Sequence, residues 1–554
     1  MQDGDIPRGI RSWMTTFRGL MGAGAMLVVP PFQRAYSWGF QVEDLLHDTG
    51  ESAEKNETFY FLGTLILQRD AHGELLVIDG HQRLMTLTLI LAYLRDAVAH
   101  PALQAQLQAM IAPGGPGGQA RLLVRRADQE LVRDTVATPG RLAALAGEAN
   151  LPSRSQRRIG EAAKLIIDRL NEQPPAALAR FAEFLCGRIT FNVIEADAGV
   201  PAASLFRVLG QRGMAMSESA LIKSQLLVCS GAPREEADAL SDRWDDLEER
   251  LGEAEFEAML RLTPLVMTGD ARLKEGDLGF FYDPHFTPER AGRFVREDLW
   301  TYARAFQDIA LGDLDNAGGL EGEIRKAALS LQLYRERSWM APAIAYLAAG
   351  RYDPPSLLMF LRGLDQLCFA RTMGALQHPR MLQRFARAIA AQGDPDQLFG
   401  AKGELHLTPT ERDRLIDKIN EPIPTNEHRR RILALRMNAA LPGGEVLLCG
   451  VKEATVEHVK PIADTTYWLS KFPPGREDLT HLLGNFVILT EKQNRDAADR
   501  DYDWKRRIYY ETRRAPMRAL TRHLEKYGEW NELQLRIRHE ELIDTLWEDL
   551  GFRA

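Results

Sequence analysis

Three residues near the end of the chain could together hydrolyse a phosphodiester bond: Glu457, His458 and Asn494. Histidine titrates close to neutral pH, so His458 could act as the base that activates water. A hard cation such as Mg²⁺ prefers oxygen ligands and stabilises the charge that develops on a phosphate. The carboxylate of Glu457 and the amide oxygen of Asn494 could supply those ligands. The residues therefore predict a hydrolytic site whose cofactor is Mg²⁺ or another divalent cation.

The elements predicted around these residues are two short strands, over 455–459 and 485–489, and a helix beginning near Asn494. This order resembles the ββα-metal fold of HNH nucleases. By that resemblance Asn485 orders the loop that presents the base, although its amide could also hold the histidine tautomer, and we count it among the catalytic candidates. His481, which lies nearby in the sequence, is interpreted as structural.

Each of these residues also has a plainer interpretation. A Glu-His dipeptide is usually a solvated strand end, and a lone Asn at a helix start is usually an N-cap. Their occurrence together and in this order favours the catalytic interpretation.

Cations alternate with aromatic residues over 503–522, a segment that begins with Lys505 and Arg506 as its first cations. On a helix such charges could follow a phosphate backbone and contribute salt-sensitive affinity for DNA. The alternative is a solvated helix face that acidic residues balance. We predict that Lys505 assists catalysis and that Arg506 contacts DNA.

Two arginine-containing motifs follow predicted strands in the N-terminal part of the chain, the first with Gln33, Arg34 and Tyr36, the second with Asp79, Gly80, His81, Gln82 and Arg83. In the second motif Gly80 permits a tight turn, and the next residues open a helix. The backbone N–H groups of that helix and Arg83 could together hold a phosphate. An ion pair between Asp79 and Arg83, with Tyr36 in the core, is an equally good interpretation. No GxxxxGK[ST] segment is present, which excludes a Walker-type NTPase.

The hydrophobic patterns predict an α+β protein of several domains, because 554 residues exceed what one core can hold. Short strands over 26–29, 59–67, 74–78 and 188–195, with a helix over 84–98, predict an N-terminal α/β domain. A Pro/Gly-rich stretch, 112–118, predicts a loop. Helical spacing over 244–262 and 356–373 predicts a helical middle, and an amphipathic helical region is predicted over 530–550. We place the domains at 1–232, 233–436 and 437–554.

The composition fits an ordinary folded protein, with 45% hydrophobic and 26% charged residues. A net charge of -8 argues against coating nucleic acid through the whole surface. The four cysteines form no CxxC pair, which favours a reducing cytoplasm over a disulfide framework. No apolar stretch is long enough to span a bilayer, so no membrane partner is expected.

The two N-terminal motifs and the C-terminal residues together resemble the GmrSD-type, type IV modification-dependent restriction enzymes, and are similar to SspE-like phosphorothioate-sensing defence proteins. That family carries P-[YF]-Q-R-x-Y-x-W and D-G-Q-Q-R motifs in a ParB/sulfiredoxin-like domain and ends in an HNH domain. Its F-x-x-L-N-x-R-G-x-x-L segment corresponds here to 206–216. The chain departs from the family at His81, where Gln is usual, at Gly210, where Asn is usual, and at Ala220, where an acidic residue is common.

The resemblance implies an anti-phage defence endonuclease that nicks or cuts DNA according to its modification. Asp79 to Arg83 would bind and hydrolyse an NTP, for example GTP, while Gln33, Arg34 and Tyr36 would contact or sense DNA. The expected partners are DNA, modified or from phage, and a nucleotide; a homodimer stays open. The rival hypothesis is a nucleotide-switched DNA-binding adaptor whose HNH remnant is not catalytic.

Overall fold

The computed structural model describes residues 9–70, 73–197, 217–272, 278–282, 286–311, 319–350, 352–391, 393–400, 402–447, 454–473, 479–510 and 517–552. The chain forms two compact units, here called unit 1 (Met1–Glu257 with Gly279–Leu299) and unit 2 (Ala258–Leu278 with Trp300–Ala554). The prediction of a mixed α/β, multi-domain protein is confirmed, and most of the structure is helical. The three domain boundaries placed from the sequence stay a prediction, as do the ParB-like and HNH folds.

Unit 1 contains a six-stranded mixed sheet whose strands are β1 (Ile10–Thr16), β2 (Leu27–Val28), β3 (Tyr60–Arg69), β4 (Leu75–Asp79), β5 (Leu122–Leu123) and β6 (Ile189–Ala196). Their spatial order is β1-β6-β3-β4-β2-β5. β6 pairs with β3 in parallel and with β1 antiparallel, and β3 pairs with β4 antiparallel. β2 pairs in parallel with both β4 and β5. The four strands predicted from the sequence are confirmed, whereas β1 and β5 lacked a hydrophobic signal strong enough to predict.

Three helices, Phe17–Gly22, His81–Ala97 and Pro175–Arg188, pack against this sheet. The other helices wholly within unit 1 are Phe40–Glu54, Pro101–Ile111, Arg126–Leu131, Leu142–Gly147, Arg154–Leu170, Glu218–Cys229, Arg234–Leu251 and Pro288–Arg293. Short π-helical segments, Val132–Val136 and Phe294–Asp298, continue two of them. The helix His81–Ala97 is buried along almost its whole length. A helix that is apolar on every side belongs in a core, so this helix is the centre of unit 1.

The helical character predicted over 244–262 is observed, and the stretch belongs to two helices, Arg234–Leu251 and Glu253–Thr268. Gly252 separates them with φ +81, and its N–H closes the first helix on the carbonyl of Glu248 at 2.9 Å. A glycine in the left-handed region is a common helix end, and here it ends the first helix.

The helices wholly within unit 2 are Glu321–Leu331, Met340–Ala349, Pro354–Met373, His378–Ala390, Pro395–Phe399, Pro409–Asn420, Glu427–Ala440, Thr466–Lys471, Glu491–Ala497, Tyr502–Tyr509, Ala519–Arg522 and Glu532–Asp549. The boundary between the units falls within Glu253–Thr268, the 3-10 turn Leu278–Tyr282 and the start of Leu299–Leu311. The predicted helices over 356–373 and 530–550 are confirmed within a residue or two at each end. Within the described ranges, no helix is long and apolar enough to cross a membrane.

The C-terminal part of unit 2 has its own two-stranded antiparallel sheet, β7 (Thr455–His458) and β8 (Phe486–Leu489). An aromatic core that includes Trp468, Tyr502 and Trp530 packs around it. The helix Glu532–Asp549 crosses the turn Leu483–Asn485, and Gly484 makes this close approach possible. A Cβ added to Gly484 would lie 2.6 Å from the carbonyl oxygen of Leu535 and 2.9 Å from the backbone nitrogen of His539.

We predict that Gly484→Ala destabilises unit 2 by about 1 to 3 kcal/mol. The backbone atoms that the new Cβ would contact cannot move aside as the end of a flexible side chain can. The measurement is the free energy of unfolding in urea. The control is Gly528→Ala, since a Cβ at Gly528 meets nothing within 4 Å. Equal stability of the two variants would show that the helix does not constrain this turn.

Candidate functional site

The predicted strand-strand-helix order around the C-terminal residues is observed. β7 pairs with β8 so that His458 lies opposite Phe486 and Thr455 opposite Leu489. Thr490 then begins the helix Glu491–Ala497 through a capping box with Gln493. The serine or threonine and glutamine of such a box satisfy N–H groups that would otherwise lack partners, which fixes where the helix starts. The structure thereby brings Glu457, His458, Asn485 and Asn494 onto one hairpin and its following helix.

Lys505 is fully buried and holds the end of β7. Its Nζ donates to Oε1 of Glu457 at 3.0 Å and to the carbonyl oxygen of His458 at 2.8 Å. Burial raises the pKa of Glu457, although Lys505 opposes this, and burial lowers the pKa of Lys505, although Glu457 opposes that. A buried ammonium with two oxygen acceptors is not placed to contact a DNA phosphate. Its position is that of a residue that orients Glu457, and its effect on catalysis stays a prediction.

The ring of His458 lies between two other rings at the end of β7. Its Nε2 is 3.1 Å from Nδ1 of His481, and its plane is nearly perpendicular to the rings of both His481 and Phe486. Burial, followed by the charges of His481 and Arg430, lowers the pKa of His458 to about 3. The ring is therefore neutral at pH 7, the form that can accept a proton, but its pKa lies well below the near-neutral value assumed from the sequence, so it is a weaker base than a free imidazole. His481 was interpreted from the sequence as structural, and its position two residues before Leu483–Asn485 was the only signal that placed it near the site.

Asn485 is completely buried, and its amide ties the turn before β8 to the chain after β7. Its Nδ2 donates to the carbonyl oxygens of Lys460 at 2.9 Å and Thr480 at 2.8 Å. Its Oδ1 accepts from the backbone N–H of Lys460 at 2.8 Å and from Nε1 of Trp530 at 3.3 Å. A primary amide has two donors and two acceptor positions, and all four are used. This geometry is that of a residue that orders the loop, and it leaves no bond with which to hold the tautomer of His458.

Asn494 and Glu457 lie on the same face of the hairpin. The Nδ2 of Asn494 is 3.4 Å from Oγ1 of Thr455, and the hydroxyl of Thr455 donates its own hydrogen to the carbonyl of Leu489 at 2.9 Å. The hydroxyl must therefore accept from Asn494, which orients the amide with its nitrogen toward Thr455. Side chains two positions apart on a strand point to one face, so Thr455 and Glu457 share the face that Asn494 covers.

These residues fit a divalent cation of the Mg²⁺ type. The carboxylate of Glu457 and the amide oxygen of Asn494 are hard oxygen donors on one face, and a buried carboxylate with a raised pKa gains from a nearby cation. Mg²⁺ keeps several of its waters and needs only one or two protein carboxylates. Among the described residues no group of three or more His, Cys, Asp or Glu could hold a metal ion, so a larger protein cage is not observed there.

Arg506, predicted to contact DNA, is half-buried on the helix Tyr502–Tyr509. Its guanidinium lies 5.8 Å from the ring centre of Tyr502 and 5.7 Å from that of Tyr510, and it donates to the carbonyl of Gly528 at 3.3 Å. A cation held between two aromatic faces gains about 0.5 to 2 kcal/mol. Its contacts therefore serve the fold, and DNA contact by Arg506 stays a prediction.

The second N-terminal motif forms a sharp turn at the centre of unit 1. Gly80 follows β4 with φ +99 and precedes the helix His81–Ala97. A Cβ at Gly80 would lie 2.2 Å from the fully buried side chain of Leu65, so only glycine fits both the backbone and the space. The turn leaves the first N–H groups of a long, buried helix without a side-chain cap. Such a helix start attracts anions.

Arg83 is committed to the sheet. Its Nη1 donates to the carbonyl of Leu62 at 2.8 Å, and its Nη2 donates to the carbonyl of Thr64 at 2.7 Å and to Asp79 at 3.2 Å. Asp79 is more than half exposed. The ion pair that the sequence left as an alternative is thus present, and most of the donors of Arg83 are used within the fold.

The first N-terminal motif packs directly on the second. The Nε2 of Gln33, which is buried, donates to the carbonyls of Val77 and Ile78 at 3.2 and 2.7 Å. Gln82 donates to the carbonyl of Ala35 at 3.0 Å and accepts from the N–H of Ser37 at 2.9 Å. The two motifs therefore form one structure, although they are separated in the sequence.

Tyr36 and His81 are also buried in this structure. Tyr36 is a core residue whose hydroxyl lies 2.7 Å from that of Thr86. The Nε2 of His81 lies 2.8 Å from Nε2 of Gln82 and 3.2 Å from the carbonyl oxygen of Arg34. The side chains of Gln33 and Tyr36 form hydrogen bonds inside unit 1, and these contacts do not test DNA sensing. DNA sensing by the two residues stays a prediction.

Arg34 differs from its neighbours in the motif. Its guanidinium is half-buried beside Glu253 and Asp79, and burial lowers its pKa in spite of these acids. Within the described ranges, no group accepts a hydrogen bond from this guanidinium. Arg34 is thus the arginine of the two motifs whose guanidinium donors are not used by other described residues. The segment 206–216, which corresponds to the F-x-x-L-N-x-R-G-x-x-L motif of the family, lies outside the described residues.

Comparison with known protein families agrees with this arrangement. Residues 17–227 match the GmrSD restriction endonuclease, N-terminal domain, and residues 410–545 match the GmrSD restriction endonucleases, C-terminal domain. The two matches include more than half of the chain, and both candidate sites lie inside them. The chain belongs to the GmrSD restriction endonuclease family. No curated protein shows significant similarity to the chain.

The buried imidazole of His81 predicts that unit 1 loses stability in mild acid. Burial lowers the pKa of His81 to about 3, whereas an unfolded chain has a histidine pKa of about 6.5. Below pH 6.5 the unfolded chain binds a proton that the folded unit does not, so stability falls from that pH downward and levels off below about pH 3. At pH 5 this one group would cost about 2 kcal/mol relative to neutral pH.

The measurement is the urea unfolding transition of the full chain at pH 7.5 and pH 5, for the wild type and for His81→Gln. We expect the variant to lose less stability on acidification, since glutamine does not titrate. An identical loss in both proteins would show that His81 is not buried in its neutral form.

Proposed function

We propose that this restriction enzyme is a metal-dependent DNA endonuclease that cuts at the site around His458. The observation that carries the proposal is the position of a histidine at the end of β7, next to two oxygen donors, Glu457 and Asn494, on one face of the hairpin. His458 would accept the proton of the attacking water. Lys505 would keep the carboxylate of Glu457 in place. A bound Mg²⁺ would supply charge stabilisation at the phosphate.

The proposal includes control of cleavage by unit 1. The Gly80 turn and Arg34 would bind the phosphates of an NTP such as GTP, with Asp79 exposed at the edge of the site. Arg34 rather than Arg83 would provide the charge, because the donors of Arg83 are used by Leu62 and Thr64. By analogy with the family, the DNA would be recognised by its modification, including phosphorothioate. Action on phage DNA in the cytoplasm and assembly as a homodimer are parts of this proposal that rest on the family alone.

The nuclease proposal predicts that His458→Ala reduces Mg²⁺-dependent plasmid nicking about 10²- to 10⁴-fold, the usual contribution of a general base. The measurement is nicking of unmodified, methylated, glucosylated and phosphorothioate plasmids, with and without NTP. His406→Ala is the matched control, because His406 is an exposed histidine whose Nε2 lies 3.0 Å from the backbone carbonyl oxygen of Phe399.

Undiminished cutting by His458→Ala would contradict the assignment of His458 as the base. DNA binding that resists chelation, with no cleavage of any substrate under any nucleotide, would favour the rival function, a nucleotide-switched DNA-binding adaptor.

The nucleotide proposal predicts that Arg34→Leu weakens GTP binding about tenfold or more, because one charged hydrogen bond contributes about 1.5 to 3 kcal/mol. Equilibrium binding of GTP and ATP to the full chain measures this. Arg180→Leu removes an exposed arginine from another helix and serves as the control. Unchanged affinity in Arg34→Leu would exclude this arginine from the site.

A further inference from the structure

The contact between His458 and His481 carries an inference about which nitrogen of His458 acts as the base. The two nitrogens, Nε2 of His458 and Nδ1 of His481, are 3.1 Å apart. The rings meet edge to face, with centroids 5.0 Å apart and planes at 85°. Phe486 lies 5.3 Å from His458 at the same angle on strand β8. The imidazole of His458 is therefore fixed in orientation as well as in position.

A hydrogen bond between two imidazole nitrogens contains one hydrogen, so one ring donates and the other accepts. If His481 donated, the lone pair of His458 would be used at Nε2, and its Nδ1 would carry the proton. The ring could then take no proton from water. If His458 donates from Nε2, its Nδ1 keeps a lone pair. Only the second arrangement leaves His458 able to act as a base.

We propose that His481 is a positioning residue that accepts the Nε2–H of His458 and so makes Nδ1 of His458 the base. This inference rests on the proposed nuclease function and names the geometry of its base. In the reaction, the O–H bond of water breaks as its proton moves to Nδ1, and the water oxygen bonds to phosphorus. The bond from phosphorus to the leaving oxygen breaks, and that oxygen takes a proton from solvent. The imidazolium of His458 keeps its Nε2–H bond to His481.

The backbone around His481 is held by hydrogen bonds of its own. The carbonyl oxygen of His481 accepts from the N–H of Ile423 at 3.1 Å. The carbonyl of the preceding Thr480 accepts from Nδ2 of Asn485 at 2.8 Å. A change confined to the ring of His481 should therefore leave the loop in place, so its effect on catalysis can be measured in a folded protein.

The test compares His481→Asn with His481→Leu in the full chain, with Mg²⁺ and plasmid DNA. The Oδ1 of asparagine can take the place of Nδ1 as a hydrogen-bond acceptor, whereas leucine offers none. We expect kcat to fall about 10- to 100-fold in His481→Leu and to recover most of that loss in His481→Asn, with KM for DNA little changed in either. His406→Leu is the control for loss of a histidine elsewhere.

A second readout does not depend on cleavage. In full-length protein with ¹⁵N-labelled histidine rings, the signals of His458 are assigned by their loss in His458→Ala. The proposal expects the proton on Nε2 and none on Nδ1 in the wild type. A proton on Nδ1, or equal kcat in His481→Leu and wild type while His458→Ala is inactive, would overturn the role of His481 alone. Full activity of His458→Ala would overturn the nuclease site itself.

Discussion

The buried ammonium of Lys505 is the interaction on which the C-terminal site depends. It joins the helix Tyr502–Tyr509 to the end of β7 through the carboxylate of Glu457 and the carbonyl of His458. Lysine is almost never buried completely unless it is paired, and Lys505 has no exposed surface. Removing one partner of such a pair costs about 3 to 5 kcal/mol, because the other charge stays buried. The direction of Glu457 is thus set by a residue outside the strand that carries it.

In each unit the polar residues of the motifs fall into two groups. Some use their hydrogen bonds within the fold, and others keep polar atoms available for a ligand. In unit 2, Asn485 uses all four hydrogen-bonding positions of its amide to order a turn. In unit 1, Arg83 and Gln33 donate hydrogen bonds to backbone carbonyl oxygens. Residues of the same motifs whose polar atoms are left over, such as Arg34, are then the better candidates for binding a ligand. A matched motif identifies the neighbourhood, while the hydrogen bonds decide which residue in it is available.

Local features were predictable from the sequence, and long-range contacts were not. The strands β3, β4, β7 and β8 and the turn at Gly80 follow from short hydrophobic runs and one glycine. The burial of Lys505 does not, because the segment looks like a solvated basic helix until the aromatic core packs on it. Likewise, the contact between His458 and His481 joins a strand end to a loop across the hairpin. No periodicity in the chain encodes these pairings.

The departure from the family motif at His81 illustrates how a substitution can leave the charge of a buried position unchanged. The amide of Gln82 is oriented by Ala35 and Ser37, so its second N–H points to Nε2 of His81 at 2.8 Å. Nε2 of His81 also lies 3.2 Å from the carbonyl oxygen of Arg34, which can only accept, so each tautomer of the ring has one hydrogen-bond partner at this nitrogen. Because burial lowers the pKa of His81 to about 3, the ring is uncharged at neutral pH. A glutamine side chain would also be uncharged, and it can both donate and accept hydrogen bonds. The substitution therefore changes the shape of the interior of the turn but adds no charge to it. The charges that act on Arg34 are those of Glu253 and Asp79.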